Sequence, residues 1–301
     1  MHADQEVSLG NILDAKLSYE KQIKNIHKDF VAVNTVSLEG IGDVIEGISN
    51  MFSRRINAVV GFFGGNQSSN LESKKIEEIA TYTNILKMSE YKVETIIRNK
   101  PLQTVLDTEV LVPLGFESDF LTAAKELSKS LDLIDKSIYV ELDNLDTLIA
   151  NMLTNEGVRI SSRPVKGNSK LPELNKTLSK VLSTLIKPNS QTQSRKVRTL
   201  LPNVNKLREV HKLLEESSNI HSLGNLKQIG AITKNIRNKC EELYNLSNNN
   251  PGFRIKKETL VDLVKQMEDG AILVTNSSAI ISLYIQVVDF YNLMLDRLNE
   301  L

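Results

Sequence analysis

The sequence predicts an all-α protein, a multi-helix bundle with long amphipathic helices, arranged as one bundle or as two helical lobes. Three observations carry this expectation. Leu and Ile recur at three- and four-residue spacings through most of the chain, aromatic residues make up only 5% with no Trp, and Gly, Pro and Asn gather in compact clusters between the periodic segments. Aliphatic side chains in that pattern fill helical cores. At 301 residues the chain is long enough to bury at least one large core.

Taken in order, residues 3–33 read as a first helix, because Val7, Leu9, Ile12, Leu13, Leu17, Ile23, Ile26 and Phe30 fall at helical spacings. Val31 to Ser37 is extended in character, residues 41–63 are helical in period, and a Gly/Asn/Ser loop at 64–70 ends that segment. Residues 70–99 form a strong amphipathic helix: Ser69 or Asn70 can cap it, Glu72 sits in its first turn and Pro101 lies just past its end. Residues 102–112 fit helix or strand equally, Val-Pro-Leu-Gly-Phe at 112–116 is a turn, and 116–154 is a long helix with acidic spacers. Residues 158–172 have no helical period and read as a linker or short hairpin. Further helices are expected at 173–186, 203–217 and 223–246, with polar breaks at 188–194 and 247–253. Two final helices, 257–268 and 270–299, close the chain. Within the last of them, Gly270 to Val288 carries no charge, but Thr275, Asn276, Ser277 and Ser278 suit a buried helix better than a membrane span of about 20 apolar residues.

Several classes of chemistry find no footing in these residues. Cys240 is the single cysteine, which excludes an intrachain disulfide framework. Lys239 and Arg237 stand near it and would lower the pKa of an exposed thiol, yet a buried helical cysteine is the plainer expectation. His2, His27, His211 and His221 are scattered, without Cys or His at metal-ligand spacing, and are expected at the surface or core edge. The Gly-rich run at 61–66 lacks the Lys-Ser/Thr of a phosphate loop, and no other catalytic motif occurs. The first ten residues lack the apolar core of a secretory signal. The expectation is therefore a protein that is not an enzyme, with no cofactor, no metal and no small-molecule substrate.

The net charge of zero conceals segmentation. Residues 1–158 hold 15 Lys+Arg against 24 Asp+Glu, residues 159–256 hold 19 against 6, and residues 257–301 hold 3 against 7. A division follows into residues 1–39, an acidic helical region at 40–156, a linker at 157–172 and a basic-then-acidic helical region at 173–301. The densest basic run is Ser-Arg-Lys-Val-Arg at 194–198. Arg195, Lys196, Arg198, Lys206 and Arg208 are the candidate nucleic-acid contacts, acting on phosphates because the segment offers only Tyr244 and Phe253 for base stacking. The competing reading is a basic face neutralised by the chain's own acidic helices or by a neighbouring subunit.

A second candidate surface is the helix at 41–63. On a helical wheel Ile41, Val44, Ile45, Ile48, Met51, Phe52, Ile56, Val59, Phe62 and Phe63 cover one half, and Asp43, Glu46, Asn50, Arg54 and Asn57 the other. Arg55 falls inside the apolar half, so its guanidinium requires a carboxylate partner if that face is buried. Phe52, Arg55, Val59, Phe62 and Phe63 therefore form a candidate interaction helix, which packs within the protein or its assembly. Contact with a membrane surface, where Arg55 snorkels to headgroups, and a sorting or assembly signal are the alternatives.

Ser37-Leu38-Glu39, followed by Gly40, resembles the sites at which maturation proteases of large tailed phages cut after glutamate. Downstream, the stretch from Leu106 to Leu127 (LDTEVLVPLGFESDFLTAAKEL) resembles the turn and following helix of internal head, or inner body, proteins of phiKZ-like giant phages. The resemblance covers residues 37–155. It implies a virion protein of the phage head interior, packaged and delivered with the genome, made in the host cytoplasm, with residues 1–39 as a propeptide helix. Its implied partners are other virion proteins, further copies of itself, and phage DNA through phosphates. The alternative function is a helical, pore-forming-like membrane-active protein using residues 41–65.

Overall fold

The longest uncharged run sets the architecture. Every residue from Gly270 to Ser278 is buried: the stretch carries no charge, and its polar side chains at 275–277 find partners inside the protein, so no face of it needs water. The computed structural model describes residues 19–28, 45–47, 50, 69–113, 115–154, 170–186, 193–218, 222–249 and 257–301. Within them the chain is all-α, apart from one two-stranded sheet.

The elements are α1 (Ser69–Asn99), α2 (Leu102–Asp107), β1 (Glu109–Val112), α3 (Phe120–Thr154), α4 (Leu171–Leu185), β2 (Gln193–Lys196), α5 (Val197–Leu200), α6 (Lys206–Ser218), α7 (Ser222–Asn249) and α8 (Lys257–Asn299). Helices α3 and α8 run antiparallel along the molecule. Phe120, at the start of α3, meets Phe290 and Tyr291 near the end of α8, with ring centroids 4.9 and 5.5 Å away. At the opposite end Leu145, Ile149 and Met152 of α3 share a core with Leu263, Val264 and Met267 of α8. Helices α1 and α4 pack on α8, while α6 and α7 pack on α3. Two hydrophobic cores result, and both are strung on α3 and α8. The larger joins residues of the acidic region to residues of the basic one, from Leu86 to Leu214 and Leu298.

Helix α1 lies parallel to α8. Tyr82 Oη donates to Asp289 Oδ2 at 2.9 Å, Ser89 Oγ lies 3.0 Å from Asn292 Oδ1, Lys92 pairs with Asp296, and Lys100 Nζ donates to the Asn299 carbonyl at 2.9 Å. Between α2 and α3, Gly115 takes a φ of 90°, which glycine alone adopts without a steric penalty. That turn, closed by the Phe116 amide on the Pro113 carbonyl at 3.1 Å, delivers Phe116 onto Phe290 with centroids 5.5 Å apart. Asp119 then starts α3 by accepting the Thr122 amide at 2.9 Å.

Several boundaries differ from the sequence expectation. The two helices expected at 257–268 and 270–299 are one, α8. Gly270 is buried inside it, where packing holds the helix against glycine's weak propensity. The ambiguous stretch 102–112 is both helix and strand, α2 followed by β1. The sheet itself was not expected: β1 pairs antiparallel with β2, Glu109 opposite Lys196 and Val112 opposite Gln193. Helix α3 begins at Phe120 rather than 116, and α6 at Lys206 rather than 203, because Asn203 is held in a turn by the Asn205 amide at 2.9 Å. Leu171 and Pro172, expected in the linker, open α4, where proline's missing N–H has no partner to lose. Of the first expected helix, 19–28 is described and helical. Residues 29–44, 51–68 and 155–169, and with them the extended segment, the glycine-rich loop and most of the linker, lie outside the described residues.

Three buried polar residues of α8, Thr275, Asn276 and Ser277, are satisfied inside the core. Thr275 and Ser277 return their hydroxyl protons to the carbonyls of Ala271 and Leu273, at 2.9 and 2.8 Å. Asn276 donates to Asn175 Oδ1 at 3.2 Å and accepts from Tyr19 Oη at 2.6 Å, and Asn175 Nδ2 donates to the Asp269 carbonyl at 2.8 Å. This seam fixes how α4 and residues 19–28 register on α8, since a slip of one turn would leave buried amides unpaired. Two substitutions test the packing by urea denaturation. Phe120→Ala should destabilise by about 3–5 kcal/mol through the cavity it leaves. Asn276→Ala should cost about 1–3 kcal/mol by stranding Asn175 and Tyr19.

Candidate nucleic-acid interface

Four of the five predicted phosphate contacts are held by the chain's own carboxylates. Lys196, at the end of β2, and Arg198, in α5, both engage Asp107 Oδ1 at the end of α2, Lys196 from 3.7 Å. Arg208 makes a two-pronged contact with Glu94 of α1, Nε to Oε1 at 2.6 Å and a terminal nitrogen to Oε2 at 2.8 Å. Arg98 lies 3.2 Å from the same carboxylate. Lys206 and Lys125 share Glu209, at 2.6 and 3.0 Å. Each of the three carboxylates therefore holds two cations, one more cation than carboxylate in each group of three, with Glu109 opposite Lys196 and Glu90 in the groove beside Arg98 as the next acidic neighbours. The fifth residue, Arg195, stands opposite Val110 in the sheet, half-buried, with no ion-pair partner among the described residues.

The clusters gather where the C-terminal end of α1, the N-terminal ends of α3 and α6, and the sheet come together. Local folding explains the placement. The β1–β2 pairing carries Lys196 to the Thr108–Glu109 corner, where the Val197 amide donates to the Thr108 carbonyl at 2.9 Å. Buried Val197 and Leu200 then anchor α5 and leave Arg198 on the outside. On α6, Leu207, Val210 and Leu214 point inward, which turns Lys206, Arg208 and Glu209 outward. Hydrogen bonding from Arg208 holds the Glu94 carboxyl below the usual range, and Lys206 followed by Lys125 does the same for Glu209. Along α1 an open groove of about 470 Å³ adjoins this surface, lined by Glu90, Tyr91, Glu94, Thr95, Arg98 and Asn99. Tyr91 is 61% exposed, so an aromatic side chain stands beside Arg98 and Glu94 that the basic segment itself does not supply. Tyr244 is half-buried against the second core, and Phe253 is outside the described residues.

The other predicted sites fare differently. Ser37, Leu38, Glu39 and Gly40, and Phe52, Arg55, Val59, Phe62 and Phe63, lie outside the described residues. Of the apolar stripe at 41–63 one member is described, Ile45, and it is 1% exposed within the second core. Cys240 is buried between α3 and α7, where burial pushes its thiol up to about 12. Its neighbours are engaged elsewhere, Lys239 on Asp146 at 2.6 Å and Arg237 on Glu241 at 3.0 Å. His27 lies 2.7 Å from Glu268, whereas His211, expected at the surface or core edge, is 5% exposed. Among the described residues no group of His, Cys, Asp and Glu is arranged to hold a metal ion. Helix α8 is long and apolar enough to cross a membrane, and 78% of its most apolar window is buried inside the protein.

Linear spacing signals little of these clusters. Glu94 and Arg98 are one helical turn apart and readable as a pair, but Asp107 meets Lys196 and Arg198 only through the fold. Comparison with protein families, with curated proteins and with solved structures finds no match to this chain.

Two measurements check the site. Carbon-detected titration should place the Glu94 carboxyl below the ordinary glutamate value of about 4.3, and Arg208→Ala should move it back upward. The stability this pair contributes is full above the ordinary value and is lost as pH falls through the depressed one. A thiol reagent should leave Cys240 untouched in the native protein and react only after unfolding.

Proposed function

We propose that the chain is a non-enzymatic structural protein of a phage head interior that works through helical surfaces and contacts packaged DNA through phosphates. The observation that carries the DNA contact is the two-to-one ratio of cations to carboxylate at Asp107, Glu94 and Glu209. Each cluster is held in place by its own carboxylate and offers one cation beyond it to a phosphate oxygen. Arg195 adds a fourth. Pre-positioned cations lose less side-chain freedom on binding than free lysines do, which favours contact with a polyanion of any sequence.

The virion context rests on the resemblance of residues 37–155. The membrane-active alternative has against it the burial of Ile45, which places the described part of the 41–63 stripe inside the protein. The full chain titrated with duplex DNA should bind without sequence preference. Four excess cations give a slope of log affinity against log salt of roughly −3 to −4, from about −0.9 per phosphate neutralised. Salt-independent binding, or none at low salt, would remove the DNA contact. Mass spectrometry of purified particles tests the context, and absence of the protein from them would remove it.

A further inference from the structure

His211 sits in the middle of the buried face of α6, one turn from Leu207 and about one turn from Leu214. Two tyrosines of α8 hold that face at either side of it. Tyr291 Oη donates to the Leu207 carbonyl at 3.4 Å, and Tyr284 Oη donates to the Leu214 carbonyl at 2.7 Å. The His211 ring lies against the Tyr291 ring, centroids 6.0 Å apart, and neither ring nitrogen has a hydrogen-bond partner among the described residues. Buried imidazoles are ordinarily paired at one nitrogen or both, so this one is held by packing alone.

We propose that His211 is an acid-sensitive release for α6, whose C-terminal half opens away from α1, α3 and the two tyrosines of α8 when the ring takes up a proton. The neutral ring tolerates the slot at the cost of one unpaired N–H. Protonation at the free nitrogen lone pair gives two N–H donors and a full charge, none of which the slot can satisfy. The charged groups that act on it are Glu90 on α1 and Glu215 on α6, Tyr291 and Tyr284 of α8 flank it, and on α3, which also packs against α6, Lys125 is taken up by Glu209. Burial, outweighing Glu215 and Glu90, holds the ring below the usual histidine range. Opening brings the ring to water and to Glu215. The N-terminal half of α6 stays tethered meanwhile, because Glu94 and Glu209 remain ionised while His211 titrates.

The linkage fixes the direction. A ring whose value is depressed in the closed form gives its full stability above the open-form value of about 6.5, and loses it as pH falls below that value. The opening constant rises by up to about tenfold per pH unit until the closed-form value is reached. Amide hydrogen exchange on the full chain at pH 7.5 and 5.5, corrected for intrinsic rates, reads it. Amides from Leu213 to Ser218 should open more at the lower pH in the wild type and not in His211→Leu or His211→Gln, while the amide of Val210, in the first hydrogen-bonded turn of α6, stays protected. An equal rise in wild type and variants, or no rise in the wild type, overturns the proposal. Should both variants fail to fold, the wild-type imidazole resonance decides it: titration at or above about 6.5 also overturns it.

Discussion

One constraint governs this molecule: α8 must be enclosed. Nine consecutive residues at its centre are buried, and the apolar surface continues through Tyr284, Val287, Phe290, Tyr291, Met294 and Leu298. No single partner can cover such a helix, so α1, α3 and α4 line it along its length. Helix α3 can do so only by running antiparallel over the same span, and that leaves its other sides free to take α6 and α7. The arrangement of the remaining helices follows from which side of this central pair each one covers. A core built of interchangeable Leu and Ile tolerates sliding, however, and here the polar seam of Asn175, Asn276 and Tyr19 supplies the register that aliphatic packing does not.

Charge is arranged on a second principle. The acidic and basic segments are distant in sequence yet fold against one another, so part of the charge contrast along the chain is settled within the protein, by Lys196 and Arg198 on Asp107, Arg208 on Glu94 and Lys239 on Asp146. Lys239 and Asp146 apart, it is settled on half-exposed side chains, where solvent and salt weaken each attraction. Such clusters add little to stability and much to placement, since a shared carboxylate holds two long side chains in a defined position.

The sequence made α8 legible before anything else. Ile272, Leu273, Ile280, Leu283, Val287, Tyr291, Met294, Leu295 and Leu298 fall at helical spacings there, and all nine are buried. The helix end near Asn99 and the turn at 112–116 were legible too, because proline and glycine act locally. The fusion across Gly270 was not, as a lone glycine reads as a break until the surrounding helices are known. Nor was the sheet: Gln193 to Lys196 is polar, and it becomes a strand only because β1 lies alongside. For the candidate site, the cations were visible in the composition but their carboxylates were not, since Asp107 and Glu94 lie in another part of the chain. His211 occupied a readable position, in phase with Leu207 and Leu214, and its identity as histidine disguised it.

The small sheet places a condition on how the chain reaches this structure. Glu109 and Ser194, joined across it at 3.0 Å, are 85 residues apart, and the intervening chain includes α3 and α4. Four residue pairs of ladder cannot offset the entropy of closing so long a loop unless those helices have already drawn its ends together. The sheet is thus a late event in folding, and the positions of Lys196 and Arg198 beside Asp107 are inherited from helices that assemble first.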